Sequence, residues 1–148
     1  VALPPGAGPR HLAFAPDGTL GIALQAEHPA PSDRHRAPAL ALLQGDTLRS
    51  VDWKPGEAPT AWDGYAGDVC CADNRFWVSA PHAGWLASWS THGEALRTQP
   101  LAGAGALAAQ GERWLAGGED AALLYREARA LPQPYRLPVG WDNHATLL

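Results

Sequence analysis

Methionine is absent from all 148 residues, and the chain opens on Val1. A full translation product starts with Met, so the sequence reads as a processed chain or a piece of a longer one, with any secretion signal lying outside it. Cysteine is nearly absent: Cys70 and Cys71 are the only two, and their adjacency matches neither a zinc site nor a thioredoxin-type pair. Neighbouring side chains on a strand point to opposite faces. That alternation favours two buried thiols acting as small hydrophobes over a strained vicinal disulfide or redox pair. Charge is sparse, at 18% of residues with a formal net charge of −4 and no basic run, which excludes the electrostatic footprint of a nucleic-acid binder. Apolar runs are short and broken by glycine, so no membrane-spanning segment is expected. No G-x-S-x-G elbow surrounds Ser79, Ser88 or Ser90, and Glu119-Asp120 reads as a solvated turn. No catalytic residue is assigned.

What the chain does contain is glycine and proline, 16 and 14 of them, beside 46% hydrophobic residues. That mixture penalises long helices and suits short strands joined by tight turns. Turn pairs recur between apolar runs at Asp17-Gly18, Asp73-Asn74 and Gln110-Gly111, and the GDTLRS of Gly45–Ser50 is echoed by the GEALRT of Gly93–Thr98. Trp77 and Trp114 are 37 apart, as are Asn74 and Gly111, which suggests a shared strand position. Periods of this size with four short strands per unit are the signature of propeller blades. The expected fold is all-β: one partial propeller domain over 1–148, with four-stranded antiparallel blades near 10–53, 68–99 and 105–136 and a closing strand at 143–148. The strands are expected at 11–15, 19–25, 39–43 and 48–53; then 68–72, 76–80, 85–90 and 95–99; then 106–109, 113–117, 121–126 and 130–133. Residues 1–9 read as a connection, and 54–67 as a longer one with room for a helical turn. Leu137-Pro138-Val139-Gly140 repeats the opening Leu3-Pro4-Pro5-Gly6, so the chain ends on what reads as the inner strand of a fourth unit. Three blades and a strand do not close a ring of the usual four to eight. Either more chain lies upstream or copies associate edge to edge.

Propeller topology sorts the loops onto two ends. His11 and His144 begin inner strands, and His28, His35 and His82 lie in loops joining second to third strands, so these five share one end; His92 falls on the other. Asp33, Asp68, Trp141, Asp142 and Asn143 join the five. Imidazole and carboxylate are ligands that iron, copper or zinc accept. No pair has the spacing that makes a metal motif specific, and loop histidines are often only solvated. His11 and His144 are the metal candidates, because they occupy equivalent repeat positions at the channel mouth. The competing reading has each bonding a neighbouring blade's backbone. Most of the seven tryptophans are expected to pack between blades, while Trp62, Trp85 and Trp141 sit where a sugar or cation could stack.

Arg10-His11-Leu12-Ala13 with Pro16-Asp17-Gly18 and Gln25, then Gly64-Tyr65-Ala66-Gly67, Ser79-Ala80-Pro81 and the terminal Trp141-Asp142-Asn143-His144 together resemble the C-terminal half of domain-of-unknown-function family 1513. The resemblance implies a roughly seven-bladed propeller, export to the periplasm (often by the twin-arginine route) and company with iron-uptake proteins. It implies no catalytic residues, and the family usually carries a polar or aliphatic pair where Cys70-Cys71 stands. Motifs and loop placement nominate Arg10, His11, Tyr65, Asp68, His82, Trp141, Asp142, Asn143 and His144 as ligand-binding. The function this points to is a non-catalytic periplasmic protein that binds a partner protein or small ligand on the histidine-rich face. The alternative is a metal-dependent or redox enzyme with iron, copper or zinc held by the channel-mouth histidines.

Overall fold

A computed structural model of the chain describes residues 2–3, 5–26, 34–53, 61–111, 113–119, 122–126 and 129–130. Three four-stranded antiparallel sheets follow one another along the chain, each with its strands in sequence order. Blade 1 is β1 (Ala7–Phe14), β2 (Leu20–Ala26), β3 (Leu40–Gln44) and β4 (Thr47–Val51). Blade 2 is β5 (Val69–Ala72), β6 (Arg75–Ala80), β7 (Trp85–Ser90) and β8 (Ala95–Pro100). Blade 3 is β9 (Leu107–Gln110), β10 (Arg113–Gly117), β11 (Ala122–Arg126) and β12 (Arg129–Ala130). The first strands β1, β5 and β9 neighbour one another, so each blade starts at the centre and works outward. This is the all-β, incomplete propeller read from the sequence. Of the connection 54–67, where a helical turn was expected, 61–67 is not helical, and 54–60 and the strand expected at 143–148 lie outside the described residues. No helix among the described residues is long and apolar enough to cross a membrane.

Backbone chemistry accounts for the turns. Asp73 and Asn74 both adopt positive φ, 53° and 52°, which is the two-residue hairpin whose twist matches its strands. Gly18 takes φ 85° while Asp17 Oδ1 accepts the Thr19 N–H at 2.9 Å, and that bond holds the exposed Asp17 carboxyl below its usual pKa. One expected turn is off by a residue. Gln110 pairs with Arg113, so it belongs to the strand and the third turn starts at Gly111 rather than at Gln110. Strand starts differ as well: β1 begins at Ala7, inside the stretch expected to be a connection, and carries a register shift between Pro9 and Leu12.

That single residue changes which side chains are equivalent. Ala72 pairs with Arg75 and Gln110 with Arg113, so blade 3 repeats blade 2 at an offset of 38, and Trp114 matches Phe76, not Trp77. The expectation that Trp77 and Trp114 share a strand position is corrected accordingly. They stack face to face, with centroids 4.3 Å apart, because they project from opposite sides of one interface. Tyr125 extends the stack at 3.9 Å from Trp114, and Gln99 of blade 2 donates to its hydroxyl. Burial pushes the Tyr125 phenol pKa up. Stacked pairs of this kind add ~0.5–1.5 kcal/mol each beyond area burial.

At the other interface Phe76 lies against Gly21 so closely that a Cβ there would sit 2.5 Å from the ring. Around this contact one buried cluster joins Ala23, Leu40 and Leu42 of blade 1 to Val78, Ala87 and Trp89 of blade 2. The cysteines divide between the two interfaces. Cys70 is buried in the cluster toward blade 3, Cys71 packs on the cluster toward blade 1, and neither is disulfide-bonded. Burial raises both thiol pKa values, that of Cys71 to about 11.

Candidate functional site

The inter-blade connection builds the site. After Trp62 the chain runs alongside the end of β2: Ala26 N–H donates to Gly64 O at 2.7 Å, and Ala66 N–H donates to Leu24 O at 3.1 Å. Gly67 N–H then donates to Ser79 O in blade 2 at 2.8 Å. The Gly64-Tyr65-Ala66-Gly67 motif is thus a splice between blades. Gly64 has φ 80°, and a Cβ there would stand 2.7 Å from that of Ala26, so glycine is required on both counts. At Gly67 a Cβ would meet Ser79 Oγ and Pro81 within 2.9 Å.

The splice holds Tyr65 as a shelf between the side chains of Arg10 and His82. On one face the Arg10 guanidinium sits 4.5 Å from the ring centroid; on the other the His82 imidazole stacks at 4.5 Å and 14°. Each is tied at its outer side. Arg10 Nη1 donates to Gln25 Oε1 at 2.7 Å, and His82 Nδ1 lies 2.8 Å from Asp63 Oδ2. The order across the stack is therefore Gln25, Arg10, Tyr65, His82, Asp63. Contacts between a cation and an aromatic face contribute ~0.5–1 kcal/mol at exposed sites. Two polar atoms of this group, Arg10 Nε and Asp63 Oδ1, are buried without a hydrogen-bond partner. Buried polar atoms are normally satisfied.

A second histidine–aspartate pair lies deeper. His11 Nδ1 is 3.5 Å from Asp68 Oδ1, with side-chain exposures of 17% and 6%. Asp68 is a junction of all three blades. Its Oδ2 accepts the Leu107 N–H of blade 3 at 2.8 Å, and its Oδ1 accepts the Val69 N–H at 2.8 Å. Its own N–H donates to Ser79 Oγ, and that hydroxyl donates to Gly105 O at 2.6 Å. Ser79 of the Ser79-Ala80-Pro81 motif thereby pins blade 2 to blade 3. His11 sits within the irregularity of β1 between Pro9 and Leu12 rather than at the strand's start. One partner of His11 is a carboxylate of the next blade.

Of the nine nominated residues, Arg10, His11, Tyr65, Asp68 and His82 come together at one end of the sheets. Trp141, Asp142, Asn143 and His144 lie outside the described residues, as do His28 and Asp33. His35 is exposed, its Nδ1 3.4 Å from Trp62 O. Trp62 was expected to be available for stacking; it is buried, donates its indole N–H to Ala37 O at 2.8 Å and meets the Trp53 ring edge-on, so it packs. Asp63 and Gln25 were not nominated. Gln25 belongs to the motif set, but no spacing rule points to Asp63, which joins only through the fold. No group of three metal-ligating side chains occurs among the described residues.

Residues 7–148 match the family described as protein of unknown function (DUF1513), and the chain belongs to that family. No curated protein matches it. Among solved structures, a catalytically inactive virginiamycin B lyase from Staphylococcus aureus, determined with quinupristin, has a TM-score of 0.64 at 10% identity over 95% of this chain and 45% of its own. A chain of the mitotic checkpoint complex has a TM-score of 0.62 at 13% identity, over 92% and 40% respectively. A protein of unknown function from Bacteroides caccae gives 0.53 at 13%, over 92% and 48%. At these identities the likeness concerns the fold. The chain spans under half the length of each.

Proposed function

We infer that this protein is a periplasmic binding propeller that takes a partner protein or small ligand at the end carrying Arg10, Tyr65 and His82, with iron-uptake components among the candidate partners. The observation that carries the reading is the Arg10–Tyr65–His82 stack. The Arg10 guanidinium and the His82 imidazole are held on one aromatic shelf, and a buried donor and a buried acceptor, Arg10 Nε and Asp63 Oδ1, are left without partners. Binding groups set on connections of a rigid sheet scaffold are the usual arrangement. Fold analogy adds that similar propellers occur in a multiprotein complex and in a lyase determined with quinupristin, so the scaffold hosts both classes. The nominated Trp141, Asp142, Asn143 and His144 belong to the same reading.

A thermal-shift screen of small ligands and transition-metal salts tests it. A compound that stabilises the wild type should lose its effect in Arg10→Ala and His82→Ala and keep it in His92→Ala, at the other end. Equal shifts in all three variants refute the assignment. The enzyme alternative rests on a different observation: Asp63 and Asp68 each face an imidazole Nδ1, the way carboxylates orient metal-ligating histidines. Near-stoichiometric iron, copper or zinc by elemental analysis would favour it, with His11 and His144 as ligands.

A further inference from the structure

The echoed motif of the two outer strands is built differently in each. GDTLRS at Gly45–Ser50 and GEALRT at Gly93–Thr98 put Leu48 of β4 and Leu96 of β8 at equivalent positions. β4 pairs with β3 in unbroken register, and Leu48 packs on the cluster of Ile22, Leu24 and Ala41. In β8 the register shifts. Ser88 pairs with Arg97 and Trp89 with Ala95, so Leu96 is the extra residue of a bulge. Bulges bend a strand and re-aim a side chain, often beside a site. Leu96 is left 41% exposed, and it lines a groove between β4 and the start of β8, on the outer side of the seam joining blades 1 and 2.

The groove holds about 650 Å³, within the ~300–1,000 Å³ of small-molecule sites. Leu96 and Trp53 are its large apolar walls. Trp53 is braced by Trp62, edge-on at 5.5 Å, and by Trp89 at 4.9 Å, and its indole N–H is buried without a hydrogen-bond partner. The charged lining is Arg49, Asp52 and Glu94. Arg49 Nη2 donates to His92 O across the seam, and a Cβ at Gly93 would stand 2.6 Å from Nη1, so the guanidinium is held over the β7–β8 turn. A guanidinium has five donors, so this bond leaves others to offer. Among the described residues none of the three charged side chains forms an ion pair. An anion alone would meet the two carboxylates, and a cation alone the guanidinium. A ligand carrying both charges on an apolar body complements every wall. We propose that the groove binds a short apolar peptide with both ends free, its carboxylate on Arg49, its ammonium on Asp52 and Glu94 and its side chains against Trp53 and Leu96. The site shares no residue with the Arg10–Tyr65–His82 stack and stands independently of it.

Isothermal titration calorimetry with the dipeptide leucyl-phenylalanine is expected to show one site per chain, and the indole N–H resonance of Trp53 should move in the same titration. The N-acetylated dipeptide lacks the ammonium and the dipeptide amide lacks the carboxylate. Each should bind about tenfold or more weakly, the scale of one hydrogen bond to a charged group. Arg49→Gln, at an exposed position, should weaken the free dipeptide to the level of the amide and leave the amide unchanged. Asp52→Asn combined with Glu94→Gln should bring the free dipeptide to the level of the acetylated form. Arg10→Ala should bind as the wild type does. No binding at millimolar dipeptide overturns the proposal. So does equal binding of the capped forms, which would reduce the groove to an apolar contact, or a loss in Arg10→Ala that Arg49→Gln does not show.

Discussion

Two histidine–aspartate pairs of the same chemistry stand at the same end of this molecule, in opposite circumstances. His11 and Asp68 are 17% and 6% exposed; His82 and Asp63 are 59% and 37% exposed. The buried carboxylate also binds two backbone N–H groups, one from the next blade, so removing it orphans donors across the junction. The exposed pair ties only a loop imidazole to a connection, and the imidazole's weight rests on Tyr65. One residue pairing thus serves two ends. Where water is excluded it fastens blades; where water enters it fixes the pose of one loop side chain, the pose on which the proposed binding role rests. Composition does not separate the two cases; the number of backbone donors each aspartate satisfies does.

The buried side of the comparison should break hardest. Asp68→Ala is expected to cost roughly 3 kcal/mol or more, since buried donors to a charged group are left unpaired. Urea unfolding reads this directly, and a loss under about 1 kcal/mol would mean the junction re-pairs. Next comes the blade 1–blade 2 contact. Gly21→Val puts a side chain where the Phe76 ring already sits, and overpacking of this kind costs ~1–3 kcal/mol. An unchanged melting temperature would show that Phe76 moves freely aside.

The cysteines sharpen the same contrast between buried and open surface. The folded pKa of Cys71 is raised to about 11, so the thiol form is favoured by folding. That contribution is complete below the unfolded thiol pKa near 8.5–9 and is lost as pH rises toward about 11. Stability should therefore fall over that alkaline window, and less so in Cys71→Ser. In the native protein at pH 8 iodoacetamide should label both thiols slowly, and in denaturant without reductant it should label both fully. Fast native labelling of Cys71 would contradict the raised pKa of its half-buried thiol.

The smallest stability effect belongs to the exposed pair. His82→Ala should shift unfolding by no more than about 0.5 kcal/mol, the scale of surface substitutions, while abolishing ligand-induced stabilisation. Retained stabilisation in that variant would remove His82 from the site.

Much of this was legible in the chain. Asp17-Gly18 and Asp73-Asn74 announce turns because few residues tolerate the backbone they need, and topology alone gathers Arg10, His11, Tyr65, Asp68 and His82 at one end. The register of blade 3 was not legible. Gly111 fits either position of a two-residue turn, and matching Trp77 to Trp114 by count chose the wrong one; only strand pairing shows that Trp114 occupies the place of Phe76. Asp63 was missed for a related reason. Its value depends on the loop 81–84 of the next blade folding back over Tyr65, which no local spacing records. The role of Asp68 was half visible. Its placement at the start of an inner strand was readable, but its bond to Leu107, 39 residues on, was not.

Double-mutant cycles on the two pairs, run in one urea series, test the central claim most directly. With His11→Ala and Asp68→Ala the coupling energy is predicted at about 1 kcal/mol or more, the range for contacting groups in one buried network. With His82→Ala and Asp63→Ala it is predicted below about 0.5 kcal/mol, the range for exposed ion pairs. Equal couplings, or a larger one for the exposed pair, would contradict the division between a histidine that fastens blades and a histidine held ready for a ligand.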